Sequence, residues 1–327
     1  MSLPETAVTR SYGIRLPIVA GGLMWLSDAD YVAACAHAGI ISFITAASFP
    51  DLADLRAEIA RCARLCEGRP FGVNVSMLPK LVDPARTADT FRLIADAGVR
   101  HVETSGRNPE EFLPILKDAG ITVLHKVPSV RYAQKAQSVG VDMVSIVGAE
   151  CGGHPGMDMI GTMVNAALAE QRLRIPYLIG GGIGTGSQLV AALAMGAAGV
   201  VMGTRLLVAD ELRVHPEYKA ALINATELDT ALTLQSKRNT IRTLANETTR
   251  LVQEMEAADP DIPIADLMPH ISGQIGRRAY QTGDVTKGLL SAGQALGLTH
   301  EAAPMADIIA GIEAEARAAL TRLGGAA

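Results

Sequence analysis

Two apolar runs, each ending in a glycine turn, constrain this chain more than any other feature. Ile175-Pro-Tyr-Leu-Ile179 leads into Gly180-Gly181-Gly182-Ile183-Gly-Thr-Gly186, and Gly199-Val-Val-Met202 leads into Gly203-Thr204-Arg205. Short runs without polar alternation are expected of strands buried on both faces. Ser187 to Met195, between them, carries a helical pattern. Glycine places no Cβ between the backbone and an approaching ligand. Two successive turns of this kind present bare N–H groups at helix N-termini, which makes an anion cradle. After the last two strands of a (β/α)8 barrel, such a cradle commonly holds a phosphate. Plain connecting turns are the competing reading of any one glycine-rich loop, but two turns about twenty residues apart favour the cradle.

The same alternation runs back to the N-terminus. Pro17 to Gly21, Ile41 to Thr45, Phe71 to Val75, His101 to Thr104, Thr122 to Lys126 and Met143 to Ile146 read as strands. Ala29 to Ala38, with Ser27 or Asp28 as N-cap, and Leu52 to Cys66 read as two of the intervening helices. A loop holding Pro79 and Pro84 precedes another helix, which ends near Gly98. With the two opening strands the count is eight, which predicts an α/β fold of the TIM (β/α)8 type over residues 1–208. An open doubly wound sheet fits less well, because Gly21-Gly22 does not continue as G-x-G-x-x-G.

Beyond Leu207 no further strand is evident, and His215 to Glu256 reads as helices. Ser272-Gly-Gln-Ile-Gly276, Tyr280-Gln-Thr-Gly-Asp284 and Ser291-Ala-Gly-Gln294 read as glycine turns between short helices. Residues 209–300 are thus expected to form a helical lid domain over the barrel mouth. The C-terminal segment 301–327 is expected to be a helix packing back on the barrel.

Composition narrows the function classes. Of 327 residues, 49% are hydrophobic and 19% charged, enough apolar material for a large core. The net charge of −5 comes with no long basic run, so nucleic acid is not an expected partner. The apolar stretches are too broken to span a membrane, and the first residues lack a charged region followed by an apolar one. A cytoplasmic enzyme is expected, and an Ala-rich helical appendage leaves room for a homodimer. Cys35, Cys62, Cys66 and Cys151 show no zinc or disulfide spacing, and Glu150 with His154 in a glycine loop is a poor metal pair, so no metal is expected.

Barrel active sites lie at the C-terminal ends of the strands. That rule selects Gly21 to Met24, Asn74, Ser76, Glu103, Thr104, His125, Lys126 and the segment Glu150 to Gly156. Lys126 ends an otherwise apolar strand and needs an anionic partner there. It is suited to a Schiff base, a phosphate or an electron-rich ring. His154, between glycines, can approach a ligand closely and move a proton near neutral pH. His125 should face the other side of its strand and serve structure. Cys151 has no second cysteine or evident base beside it, so packing is the expected role.

These residues carry a resemblance. Glu150-Cys-Gly-Gly-His154-Pro-Gly156, the turns at Gly180-Gly-Gly182 and Met202-Gly-Thr204, Asn74 and Lys126 resemble the nitronate monooxygenases, also called 2-nitropropane dioxygenases. Ser272-Gly-Gln-Ile-Gly-Arg277 and Tyr280-Gln-x-Gly-Asp284 extend the likeness over nearly the whole chain. The resemblance implies a TIM-barrel flavoprotein with FMN across the mouth. It implies that Gly181, Gly182, Gly203 and Thr204 hold the FMN phosphate, with Met202 also among the cofactor-binding residues. Gly22, Leu23, Met24, Asn74, Ser76, Lys126 and Gly152 would line the ring and ribityl chain, with His154 as the catalytic residue facing substrate. Gly21-Gly22-Leu23-Met24-Trp25, where many members have Ala-Pro-Met, and the Leu78-Pro79 loop look closer to the NAD(P)H:quinone reductase branch.

Three activities follow from the resemblance: oxidation of small alkyl nitronates by O2 to a carbonyl compound and nitrite, NAD(P)H:quinone reduction with NADH or NADPH as donor, and flavin-dependent reduction of enoyl thioesters. A non-redox barrel using Lys126 as a Schiff base is the alternative from another class.

Overall fold

The eight apolar runs become eight parallel strands because each is flanked by a helix that covers its outer face. The computed structural model describes residues 2–77 and 83–324. The strands are β1 (Ile18–Ala20), β2 (Ile41–Thr45), β3 (Gly72–Met77), β4 (His101–Gly106), β5 (Thr122–Val127), β6 (Met143–Val147), β7 (Tyr177–Gly180) and β8 (Gly199–Met202). They pair in sequence order, and β8 closes on β1, giving a complete barrel. Between them run α2 (Ala29–His37), α3 (Leu52–Cys66), α4 (Pro84–Asp96), α5 (Leu113–Asp118), α6 (Val130–Val139), α7 (Thr162–Arg172) and α8 (Gly186–Ala194). The helix α1 (Ala7–Tyr12) precedes β1. Asp28, not Ser27, caps α2, accepting from the Tyr31 N–H at 3.0 Å. The Leu78-Pro79 loop lies outside the described residues.

Period-2 alternation sorts the strand residues into two faces. Val19, Ile41, Phe43, Leu124, Met143, Leu178 and Val201 fill the barrel, and α1 closes its base with Val8, Tyr12 and Ile14. The intervening strand residues pack outward against the helices in the main core. His125 follows this rule. Its Nδ1 lies 2.8 Å from the Thr104 hydroxyl and the residue is buried, so burial, with the Lys126 charge second, pushes its pKa down to about 4. It serves structure, as its strand parity requires. Burial pushes the Cys151 thiol up to about 12, which leaves it a packed, protonated side chain.

The region after the barrel departs from the helical expectation. Two strands, β9 (Thr230–Thr233) and β10 (Ile241–Leu244), form an antiparallel hairpin between α9 (Pro216–Asn224) and α10 (Glu247–Ala258). The helices α11 (Ile264–Ile271) and α12 (Gly273–Thr282) follow. Ser272 to Gly276 is therefore no turn: Ser272 caps α12, and the glycines lie inside its first turns. The long helix α13 (Met305–Gly324) packs on α8 and α2, and Glu315 accepts from the Gly186 N–H at 2.8 Å. Among the described residues no helix is long and apolar enough to cross a membrane.

Candidate functional site

At the mouth the inward alternation changes from apolar to polar. Asn74 and Glu103 are register partners on β3 and β4, and Lys126 is one inward step above Leu124 on β5. Glu103 is fully buried and receives three donors. Lys126 Nζ lies 3.1 Å from its Oε1, while Asn74 Nδ2 at 2.6 Å and the Gly22 N–H at 3.1 Å reach its Oε2. A Cβ on Gly22 would lie 2.5 Å from the Asn74 Cβ, so only glycine lets the β1 turn approach β3 this closely. A Cβ on Gly21 would sit 3.5 Å from Lys126 Nζ and 3.3 Å from Val201, which shows how tightly β1, β4, β5 and β8 converge here.

The two glycine turns lie at the same end of the barrel. Among the described residues, the N–H groups of Gly181, Gly182, Gly203 and Thr204 donate to no other backbone group. Gly181 has φ +102, and a Cβ there would meet Thr162 Oγ1 at 2.8 Å and the Gly148 nitrogen at 2.9 Å. Gly203 differs: its φ is −127, and the nearest atom to an added Cβ is Leu23 Cδ2 at 3.8 Å. Leu23 and the cradle are thereby brought side by side. The Thr204 hydroxyl accepts from the Gly293 N–H at 2.8 Å and keeps its own proton to donate. Next to it, Arg205 has a buried Nη1 with no partner. Unbonded backbone amides at two adjacent turns suit an anionic group such as the phosphate of a flavin cofactor. Met202 is different in kind: its side chain lies in the outer core, and only its carbonyl reaches the mouth, accepting from Gly21 at 3.3 Å.

The loop after β6 is anchored from three sides. Glu150 accepts from the Thr162 N–H at 3.1 Å and pairs with its hydroxyl at 2.8 Å. Gly152 backs onto the Ala292–Gly293 backbone, where a Cβ would lie 2.7 Å from Gly293 N. Gly153 exchanges two backbone hydrogen bonds with Arg242 of β10, at 2.9 and 2.7 Å. His154 emerges from this pinned segment with its side chain exposed to solvent. Desolvation by the surrounding protein holds its pKa below the ordinary imidazole value. Met24 is exposed at the rim, Ser76 is half-buried beside Ser105, and the Trp25 ring lies under the Arg277 guanidinium at 4.9 Å. A surface concavity of about 510 Å³ lies against α1 and holds none of these residues.

Sequence reasoning passed over Arg242, because the hairpin that carries it reads as helix. Its guanidinium is buried and donates to the Ala149 carbonyl at 3.1 and 3.0 Å and to Thr230 Oγ1 at 2.9 Å. Replacing it with Met leaves that carbonyl unsatisfied, at a cost of about 1–3 kcal/mol. Urea unfolding of Arg242→Met should show that loss; an unchanged midpoint would mean the guanidinium does not hold the loop.

Comparison with known proteins agrees with this fold. The family profile named nitronate monooxygenase matches residues 5–315. The chain belongs to the nitronate monooxygenase family. Enzymes of that family are flavin-dependent oxidoreductases, and this barrel is one of them. The chain is 32% identical to FabK from Thermotoga maritima, with a TM-score of 0.90 over 99% of this chain and 100% of that one. A nitroalkane oxidase from Streptomyces ansochromogenes superposes with a TM-score of 0.82 at 26% identity, over 97% of this chain and 100% of that one. A hydroxy-methyl-oxo-octahydro-1H-indene-carboxyl-CoA dehydrogenase of Mycobacterium tuberculosis is 31% identical over 77% of this chain and 69% of its own. This chain thus resembles proteins named as a nitroalkane oxidase and as a carboxyl-CoA dehydrogenase.

Proposed function

We propose that this member of the nitronate monooxygenase family binds FMN across the barrel mouth and oxidises small alkyl nitronates with O2 to a carbonyl compound and nitrite. The observation that carries the reading is the conjunction of two sites at one barrel end: the unbonded amides of Gly181, Gly182, Gly203 and Thr204, and the polar floor of Asn74, Glu103 and Lys126. The first suits a phosphate, and the second suits a ring with polar edges. Bound FMN would supply the electron-accepting ring. Gly22, Leu23, Met24, Asn74, Ser76, Lys126 and Gly152 would hold the ring and ribityl chain. His154 is the catalytic residue of this reading. A neutral imidazole accepts a proton from a nitroalkane carbon or donates its N–H to a nitronate oxygen.

A second reading is favoured by the similarity to the CoA-thioester dehydrogenase. In it the same floor would serve a NAD(P)H-dependent reductase of quinones or enoyl thioesters. Anaerobic mixing separates the two. Propionate 3-nitronate alone is expected to bleach the flavin within turnover time. Bleaching by NADH or NADPH with no response to the nitronate would overturn the monooxygenase reading and leave the reductase.

A further inference from the structure

We propose that Glu103 is the positioning residue of the cofactor floor, setting which groups, and what net charge, Lys126 and Asn74 present to a bound flavin. The inference rests on the FMN reading above and adds to it a residue that makes no contact with solvent. Glu103 is fully buried, yet its carboxylate is shared among three donors from three different strands or turns. A buried carboxylate left unpaired is costly, so these donors are held to it strongly.

Each donor is thereby fixed in a definite sense. An ionised carboxylate only accepts, so the Asn74 amide must turn its Nδ2 toward Glu103 and its Oδ1 away. Asn74 Oδ1 is left as an acceptor with no partner in the chain among the described residues. The Lys126 ammonium is drawn to one oxygen and shares its charge with the carboxylate, so the floor carries a neutral pair and not a bare cation. The Gly22 N–H points inward to the same group, which pins the β1 turn that leads to Leu23 and Met24. One side chain thus orients the floor residues of β3 and β5 together with the β1 turn.

The consequence is electrostatic as well as geometric. Glu103→Gln keeps the size of the side chain but removes the negative charge and introduces two N–H donors. One of them must face the Asn74, Gly22 or Lys126 donors, so at least one floor group loses its orientation. Lys126 is left without its counter-ion in the floor. An added net positive charge favours the electron-rich reduced flavin over the oxidised one. The ratio of affinities for the two forms should shift about tenfold toward the reduced form, which is about 30 mV upward for a two-electron couple. Lys126→Met removes the cation and leaves the carboxylate with two donors, so it should shift the potential downward.

The test uses wild type, Glu103→Gln and Lys126→Met, each reconstituted with FMN. FMN affinity is read by fluorescence quenching and the midpoint potential by spectroelectrochemical titration. Opposite shifts in the two variants support the proposal, since damage confined to packing would not change sign with the charge removed. Unmoved potentials in both variants that still bind FMN would overturn the role of Glu103 and leave the flavin reading intact. A wild-type chain that takes up no FMN would overturn both. If Glu103→Gln does not fold, a Lys126→Met potential shifted downward supports the proposal, and an unmoved one overturns it.

Discussion

His154→Ala should keep its FMN and lose about 10²–10⁴-fold in turnover, the usual contribution of a positioned acid or base. The two halves of that expectation come from different observations. His154 is exposed and sits on a loop whose anchors are backbone and glutamate contacts, namely Gly153 with Arg242 and Glu150 with Thr162. Removing the imidazole therefore leaves no cavity and frees no buried polar group, so stability should change by no more than about 0.5 kcal/mol. None of the cradle or floor contacts passes through it, so cofactor affinity should hold. The chemistry is another matter, because no other imidazole among the described residues lies on this loop. The sign of the pH dependence follows from the lowered pKa. A histidine below its ordinary value stays neutral further into acid, so the neutral form persists as pH falls through 6.5. Turnover of a neutral nitroalkane, which needs the neutral imidazole, should thus have an acid limb below 6.5, and that limb should vanish in His154→Ala. Wild-type kinetics in the variant, or an acid limb that persists in it, would remove His154 from the mechanism.

The barrel was legible because its signal is dense and local. Each strand is a short apolar run with a helix pattern behind it, and strand parity alone separates Lys126 from His125. The hairpin at Thr230–Thr233 and Ile241–Leu244 escaped for an equally local reason. Its strands are four residues long, and its connection turns through Leu234 and Arg238 at φ +59 and +53 with no glycine between. Hairpin recognition depends on glycine or asparagine at such positions, so nothing marked the reversal. The reverse error occurred at Ser272 to Gly276, where two glycines suggested a turn. Gly276 instead packs inside α12, with an added Cβ 3.6 Å from the Leu289 carbonyl. Glu103 was visible as a strand-end carboxylate, but its three partners come from residues 22, 74 and 126, and no spacing reveals that they meet. Arg242 shows the same limit, holding Ala149 from 93 positions away.

Gly203→Val tests the cradle, and its value lies in what the fold does not require. At Gly181 a side chain is barred by the protein itself, through positive φ and contacts with Thr162 and Gly148 under 3.0 Å. Loss of FMN in a Gly181 variant would therefore reflect a damaged fold as much as a blocked site. Gly203 carries neither constraint: its φ lies outside the left-handed region and an added Cβ meets only Leu23 at 3.8 Å. The valine methyls are expected instead to crowd a phosphate held by the free N–H groups of Gly203 and Thr204. A phosphate displaced from two such charge-assisted hydrogen bonds loses roughly 3–6 kcal/mol, or 10²-fold and more in affinity. The expected result is a protein that melts close to wild type yet is purified colourless and titrates weakly with FMN. Gly181→Ala should show the opposite order, with the melting temperature falling first. Tight FMN binding by Gly203→Val would place the phosphate elsewhere, and the polar floor of Asn74, Glu103 and Lys126 would then need a different ligand to explain it.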